Sequence, residues 1–134
     1  MSKLSSWLAI AFFTFLGATP ALAVSPVTFV SGKGTNSGTC ASPASPCRTL
    51  QFALGQTSPG GEIKALDPAH YGGVTITNSI SITGVEGAGI DLHHTATDAI
   101  TINAGADDTI NLSHLTLDGL KTARSGIVLN SADR

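Results

Sequence analysis

Short apolar pairs that alternate with polar residues dominate the second half of this sequence. Because side chains of a β-strand point alternately to opposite faces, each pair predicts a short strand with one buried face. No consistent hairpin signal joins the pairs, so the pattern favours a repeating coil, with a β-sandwich as the alternative. The pairs are Val74/Ile76, Ile80/Ile82, Ile90/Leu92, Ile100/Ile102, Ile110/Leu112, Leu115/Leu117 and Ile127/Leu129.

The alternation slips by one position within the segment TINLSHLTLDG, residues 109–119. On a flat strand, the odd step from Leu112 to Leu115 would place two apolar pairs on opposite faces. A corner at Ser113-His114 removes this conflict, because two short strands that meet at a bend can face the same interior. The sequence therefore predicts a strand, a corner and a second strand in this segment.

Similar units recur along the chain. Ile63 and Ile100 are 37 positions apart, and Ile80 and Leu115 are 35 apart. These offsets predict that residues 74–84 and 110–119 form equivalent units in successive turns, with Asn78 and Ser113-His114 at equivalent corners. Residues 85–98 are then an insertion, and a third turn begins at Gly126. The apolar residues of both units should point into one core, namely Ile80, Ile82, Ile110, Leu112, Leu115 and Leu117.

The N-terminal segment has the pattern of a secretory signal peptide. Lys3 precedes an apolar run from Leu8 to Ala18, and the small-residue cleavage pattern ends at Ala23. The alternative is an uncleaved anchor, but the apolar run is short for a membrane span. We therefore expect residues 1–23 to be removed on export and residues 24–134 to form one domain, secreted or periplasmic and outside the membrane.

Charge argues against a nucleic-acid partner. The whole chain has a formal net charge of −2, and loss of Lys3 leaves six basic against nine acidic residues. No cluster of lysine and arginine is present that could neutralise a row of phosphates.

Cys40 and Cys47 are the two cysteines of the chain, with ASPASP between them. In an oxidising compartment, an even count predicts one disulfide that closes a Pro-rich loop. A zinc site usually has two to four residues between paired cysteines, and a reactive redox pair has two. The spacing of six therefore favours a structural bridge over both alternatives.

One helix is predicted next to this loop. Within residues 46–55, Leu50, Ala53 and Leu54 follow the helical spacing, and Gly55 is a stop signal. The run 57–61 then breaks the chain, and residues 62–66 predict a strand.

Three segments carry a resemblance to a known family, namely TFVSGKGTNSGTCASPASPCRTLQFAL (28–54), GGEIKALDPAHYGGVTITNSISITG (60–84) and AITINAGADDTINLSHLTLDG (99–119). They resemble the exported bacterial right-handed parallel β-helix proteins of the pectin-lyase-like superfamily. The resemblance implies an all-β fold, a right-handed parallel β-helix (solenoid) with a short N-terminal capping helix at 48–54. It also implies an N-terminal cap at 24–61 and about two to three coils in 62–134.

Enzymes of this superfamily have more coils, and this sequence ends directly after a strand. The expectation is therefore a fragment or truncated product that is incomplete at its C-terminus. Self-association through the open C-terminal coil is the competing expectation, because repeat arrays usually need a terminal cap.

Catalytic candidates follow from the chemistry of such enzymes. A polysaccharide lyase needs a base and a cation, often calcium held by oxygen ligands. A glycoside hydrolase needs two carboxyl groups about 5–10 Å apart, for which Asp91 and Asp98 can be considered. Adjacent carboxylates are more typical of polar turns. The lyase candidates are Asp107, Asp108, Asp118, Lys121 and Arg124.

Histidines offer a separate hypothesis. His93 and His94, with Asp91 and Asp98 nearby, have the donor types of a transition-metal site. The alternative is a solvated loop, because successive residues of a strand face opposite ways.

The sequence therefore predicts an exported, non-catalytic module without a cofactor, which contacts polysaccharide at the cell surface through Thr- and Asn-rich outer strands. Two alternatives stay open. One is the N-terminal part of a lyase or hydrolase whose active site lies in further coils, and the other is a truncated product with no independent function.

Overall fold

The computed structural model describes residues 24–91, 98–119 and 124–130. These residues form one short helix and nine strands, so the chain is mostly β. The helix is α1 (Leu50–Gln56). The strands are β1 (Ser25–Val30), β2 (Thr57–Ala65), β3 (Val74–Ile76), β4 (Ile80–Thr83), β5 (Gly89–Asp91), β6 (Asp98–Ile102), β7 (Ile110–Ser113), β8 (Thr116–Asp118) and β9 (Ser125–Leu129).

The strands form three parallel sheets. Sheet A has the order β1-β2-β4-β7, sheet B pairs β5 with β8, and sheet C has the order β3-β6-β9. From β3 onward, successive strands enter sheets C, A and B in rotation. The pairing of every described strand is parallel, which excludes the antiparallel β-sandwich.

The spacing of the repeat differs from the sequence prediction. Val74 pairs with Ile100, 26 positions on, and Ile80 pairs with Ile110, 30 positions on. The predicted offsets of 35–37 were wrong, as was the equivalence of 74–84 with 110–119. The prediction failed because residues 85–98, interpreted as an insertion, contain β5, a strand of sheet B. Each rotation therefore contains three strands instead of two.

One hydrophobic core joins the three sheets. It contains Ile63 and Ile82 from sheet A, Ile90 from sheet B, and Ile76 and Ile100 from sheet C. The predicted inward orientation is confirmed for Ile80 and Ile82, which are buried, and for Ile110, Leu112 and Leu115, which pack partly buried against the core. Leu117 is in register with the buried Ile90 and so faces the core, as predicted, but it is 37% exposed on β8.

The corner at Ser113-His114 is confirmed, because β7 ends at Ser113 and β8 begins at Thr116. His114 adopts a left-handed conformation with φ of 53°, which turns the backbone between the strands. Gly84 lies beside this corner and donates its N–H to the Ser113 carbonyl at 2.8 Å. Asn78 lies between sheets C and A, so its predicted equivalence with this corner was wrong.

Helix α1 covers the N-terminal end of the core with Leu50, Ala53 and Leu54. It begins two residues later than predicted, because the Thr49 side chain caps it by accepting the N–H of Phe52 at 3.3 Å. Gly55 does not stop the helix, which continues to Gln56.

The segment 57–61, predicted as a break, is instead the first half of β2. The buried Thr57 hydroxyl donates to the Ala53 carbonyl at 2.7 Å. This bond uses the one proton of the Thr57 hydroxyl. The Thr28 hydroxyl, 2.8 Å from the Thr57 hydroxyl, is therefore the donor in the contact between the two threonines. These two bonds connect β1, β2 and the end of α1 inside the core.

The Cys40–Cys47 disulfide is present, with a Cα–Cα distance of 5.3 Å. The loop that it closes pairs with β1. Phe29 donates its N–H to the Cys40 carbonyl at 2.9 Å and accepts the Cys47 N–H at 2.8 Å. The disulfide loop therefore supplies hydrogen-bond partners for Phe29 at the outer edge of sheet A.

A buried tyrosine fixes the loop after β2. The Tyr71 hydroxyl lies 2.6 Å from the Asp67 carbonyl oxygen and 2.7 Å from its carboxylate. Asp67 also accepts the Gly32 N–H at 2.8 Å and the Ser31 hydroxyl at 2.5 Å. The bonds from Gly32 and Ser31 lower the pKa of Asp67, and burial, with the hydrogen bond to Asp67, raises the pKa of Tyr71.

Tyr71 is the single tyrosine of the chain, so tyrosinate absorbance follows it alone. Because the pKa of Tyr71 is raised in the folded chain, its hydroxyl contributes fully to stability below pH ~10, the ordinary pKa of tyrosine. This contribution is lost as the pH rises from there through the raised pKa of the folded chain. We expect native Tyr71 to stay protonated at a pH where the urea-unfolded chain is ionised. Tyr71→Phe should lower the free energy of unfolding at neutral pH by about 1–2 kcal/mol. It should also reduce the loss of stability that occurs at alkaline pH. Ionisation of native Tyr71 at its ordinary pKa would contradict this.

Two glycines provide a matched test of the corner. A Cβ on Gly84 would collide with the backbone carbonyl of His114, whereas a Cβ on Gly55 meets no atom within 4 Å. We expect Gly84→Ala to lower the free energy of unfolding by about 1–3 kcal/mol. Gly55→Ala should raise it by about 0.5–1 kcal/mol, because alanine favours the helix. Urea denaturation of both variants measures this, and equal effects would argue against the close approach at the corner.

Candidate functional site

The outer face of sheet A presents two rows of side chains that cross all four strands. In the parallel register, Val27, Glu62, Ser81 and Asn111 lie side by side, and Phe29, Lys64, Thr83 and Ser113 form the next row. Side chains between these positions, such as Ile63 and Ile82, point into the core. These eight residues are called the polar face below.

Hydrogen bonds order the side chains of the polar face. The Thr83 hydroxyl donates to Glu62 Oε1 at 2.9 Å, and Lys64 Nζ lies 3.3 Å from Glu62 Oε2. Asn111 Nδ2 donates to the Ser81 hydroxyl at 3.3 Å. Two of these bonds join neighbouring strands, Glu62 to Thr83 and Ser81 to Asn111, while the contact between Lys64 and Glu62 lies within β2.

A shallow groove of about 530 Å³ runs over this face. Strands lie about 4.8 Å apart, so the four strands span ~14 Å across it. Gly60 leaves room at one side, because a Cβ added at this position would meet no atom within 4 Å. The groove is lined by Pro26, Val27, Gly60, Gly61, Glu62, Ser81, Thr83, Asn111 and Ser113.

The chemistry of the groove is that of hydroxyl and amide groups. Ser81, Thr83 and Ser113 can donate and accept hydrogen bonds, and the Asn111 amide can do both. Glu62 is the one carboxylate among the groove residues, and it accepts only when ionised. Such a surface can bind a ligand that carries many hydroxyl groups.

The candidate catalytic residues Asp107 and Asp108 lie in the turn between β6 and β7. Asp108 accepts the Ser79 N–H at 2.9 Å and its hydroxyl at 2.7 Å through Oδ1, and the Gly105 N–H at 2.8 Å through Oδ2. These bonds, that from the Ser79 hydroxyl first, lower the pKa of Asp108. Asp107 is exposed. Asp108 therefore connects the turn before β7 to the segment before β4.

The remaining lyase candidates lie elsewhere. Asp118 ends β8 on the exposed surface, and Arg124 precedes β9, where its guanidinium lies 3.2 Å from Asp98 Oδ2. Lys121 lies outside the described residues. The described contacts therefore do not join Asp107, Asp108 and Arg124 into one site.

Of the metal candidates, Asp91 and Asp98 are described, and His93 and His94 lie outside the described residues. Asp91 is buried at the end of β5, and its Oδ2 lies 3.3 Å from Nδ1 of His70, a contact that the sequence did not predict. Asp91 is in register with Asp118 of β8. Across the described ranges, no group of three His, Cys, Asp or Glu side chains is arranged to hold a metal ion.

The sequence interpretation proposed contact through the outer strands but did not identify Glu62, Lys64, Ser81 or Thr83. Each occupies an outward position of a strand, and the alternation with buried residues is a signal that the sequence contains. The missing information was which strands lie side by side, because β2 and β4 are neighbours in sheet A while β3 belongs to sheet C.

No family model, curated protein or solved structure matches the chain significantly. Among the helices of the described ranges, none has the length and apolar character needed to cross a membrane.

The structure gives Asp107 and Asp108 different expected roles. Asp108→Ala should lower the free energy of unfolding at neutral pH, because Ser79 and Gly105 lose their acceptor. Asp107→Ala, a change of the same size next to it, should have little effect because the side chain is exposed. The depressed pKa of Asp108 predicts that its contribution is lost as the pH falls below about 4. Equal stabilities of the two variants at neutral pH would contradict this assignment.

Proposed function

We propose that this protein is an exported, non-catalytic β-helix module whose polar face binds a neutral polysaccharide. The observation that carries the proposal is the groove on sheet A, where hydroxyl and amide side chains of neighbouring strands converge on one surface.

The three parallel sheets support a solenoid architecture of the kind that the resemblance to the pectin-lyase-like superfamily implies. Strands enter sheets C, A and B in rotation, the sheets share one core, and α1 covers one end of that core. A right-handed coil is the expected hand, because crossover connections between parallel strands are right-handed in about 98% of cases.

Neutral glycans are the favoured ligands because of the charges on the face. Glu62 carries a negative charge into the groove, while Lys64 already lies next to that carboxylate. A polyuronate chain would therefore meet an acidic side chain without a free cation to balance it. A neutral glycan would meet hydroxyls, an amide and one acceptor, together with the apolar margin of Val27 and Phe29.

The residues of the groove also argue for binding without turnover. A glycoside hydrolase needs two carboxyl groups on either side of the scissile bond, and Glu62 is the one carboxylate among those that line this groove. Binding modules need neither a base nor a leaving-group acid.

Export is supported by the disulfide and by the N-terminal sequence. Disulfides such as Cys40–Cys47 persist in oxidising compartments. The signal-peptide pattern of residues 1–23 supports the same proposal, a module in the periplasm or outside the cell.

Binding can be tested with residues 24–134, soluble β-glucan and mannan oligosaccharides, and polygalacturonate as the anionic comparison. We expect calorimetric titration to show binding of a neutral glycan and no release of reducing ends or unsaturated products. Ser81→Arg fills the centre of the groove and should weaken binding at least ~10-fold, a loss of about 1.4 kcal/mol. Thr101→Arg is the matched control, because Thr101 holds the central outward position of sheet C.

Equal losses in Ser81→Arg and Thr101→Arg would contradict the assignment of the face. Binding of polygalacturonate alone would contradict the ligand class, and turnover of any glycan would contradict the non-catalytic role. Glu62→Gln gives a further check, because removal of the charge should increase binding of the anionic polymer relative to the neutral one.

A further inference from the structure

The polar face is apolar along one of its four strands. Val27 and Phe29 are its two members from β1, whereas its members from β2, β4 and β7 are polar or charged. Phe29 is half-buried, and it lies outward because its neighbours Thr28 and Val30 are buried. One aromatic side chain therefore borders the hydroxyl and amide groups of the groove.

The backbone of Phe29 is held on both sides of β1. Its N–H donates to the Cys40 carbonyl at 2.9 Å, and its carbonyl accepts the Cys47 N–H at 2.8 Å. The disulfide joins these two cysteines. On the other side of the strand, Phe29 is in register with Lys64 of β2. A side chain on a backbone that is already fixed loses little conformational freedom when a ligand binds to it.

A pyranose ring divides its chemistry in the same way as this surface. Its hydroxyl groups project from the rim, while its C–H groups form apolar faces. The face of an aromatic ring carries partial negative charge that attracts such C–H groups, and the burial of both apolar surfaces adds to the attraction. The hydroxyls at the rim are then directed towards the hydrogen-bonding side chains of the neighbouring strands.

We propose that Phe29 stacks on one ring of the glycan and that the glycan is an extended chain of pyranose rings that crosses the strands of sheet A. This inference rests on the proposed function, because it assigns a ligand geometry to the same surface. It names the linkage class that the surface selects and the side chain that anchors it.

The spacing of the side chains favours a chain that crosses the strands. Neighbouring strands lie about 4.8 Å apart, close to the length of one hexose residue in an extended glycan. Along a single strand, outward side chains recur only every ~6.6 Å, because alternate residues face the core. A glycan that starts on Phe29 therefore meets Lys64, Thr83 and Ser113 in turn, with one side chain for each further ring.

Linkage determines whether a glycan can follow this row. In cello-oligosaccharides the linkage keeps the chain an extended ribbon, and all ring hydroxyls are equatorial, so both faces of every ring present C–H groups. Laminari-oligosaccharides contain the same sugar, but their linkage curves the chain away from a straight row. The two compounds differ only in linkage and therefore form a matched pair of ligands.

Calorimetric titration of residues 24–134 with the two oligosaccharides at equal length tests the proposal. We expect tighter binding of the cello-oligosaccharide. Phe29→Leu keeps an apolar side chain without the aromatic face, and it should weaken this binding at least ~5-fold and reduce the preference between the ligands. Phe52→Leu is the matched control, because Phe52 packs against the core from α1 and is not part of the polar face. Urea denaturation should show that both variants are folded.

Tryptophan fluorescence reports stacking at the site itself. Residues 24–134 contain no tryptophan, because the one tryptophan of the chain is Trp7. Phe29→Trp should retain binding, and its emission should move to shorter wavelength as a sugar ring covers the indole. Thr101→Trp, at the central outward position of sheet C, should show no change with the same ligand.

The outcomes separate this inference from the proposed function. Wild-type protein that binds neither oligosaccharide would overturn both. Equal binding by the Phe29→Leu and Phe52→Leu variants, or an unchanged emission of Phe29→Trp in the presence of bound ligand, would overturn the stacking role alone. Equal or tighter binding of the laminari-oligosaccharide would overturn the extended geometry, while the polar face would remain a glycan-binding surface.

Discussion

The in-register pairing of parallel strands that are distant in sequence is the interaction on which the structure depends. The strands have three to nine residues, and each sheet exists because a strand bonds to one that lies at least 19 positions away in sequence. A slip of one residue would turn apolar rows such as Val74, Ile100 and Ile127 outward. The register thus fixes the core and the outer surface together.

The proposed binding surface is a product of the same register. Ser81 and Thr83 lie outward because Ile80 and Ile82 lie inward, and pairing with β2 and β7 brings Glu62 and Asn111 beside Ser81. The side chains of the groove come from strands that are distant in sequence. Their arrangement depends on the ladder and on no local motif.

Much of the local structure could be predicted from the sequence. Alternation predicted most of the short strands, the phase slip predicted the corner at Ser113-His114, and the two cysteines predicted the disulfide. The repeat could not be found by a fixed spacing, because corners differ in length and β5 presents few apolar residues. The polar face needed knowledge of which strands are neighbours. Capping by Thr49, which a local motif could have indicated, moved the start of α1.

The sequence separation of the paired strands has a consequence for folding. The strand pairs of the described ranges are separated by 19 to 35 positions, so each of these ladders closes a sizeable loop before it gains backbone bonds. Proteins dominated by such contacts fold slowly, since loop entropy is lost before contacts compensate for it. Helix α1 and the seven-residue separation of the disulfide are the local elements of the described chain. The helix and the disulfide loop should therefore form early in folding, because their contacts close the shortest loops.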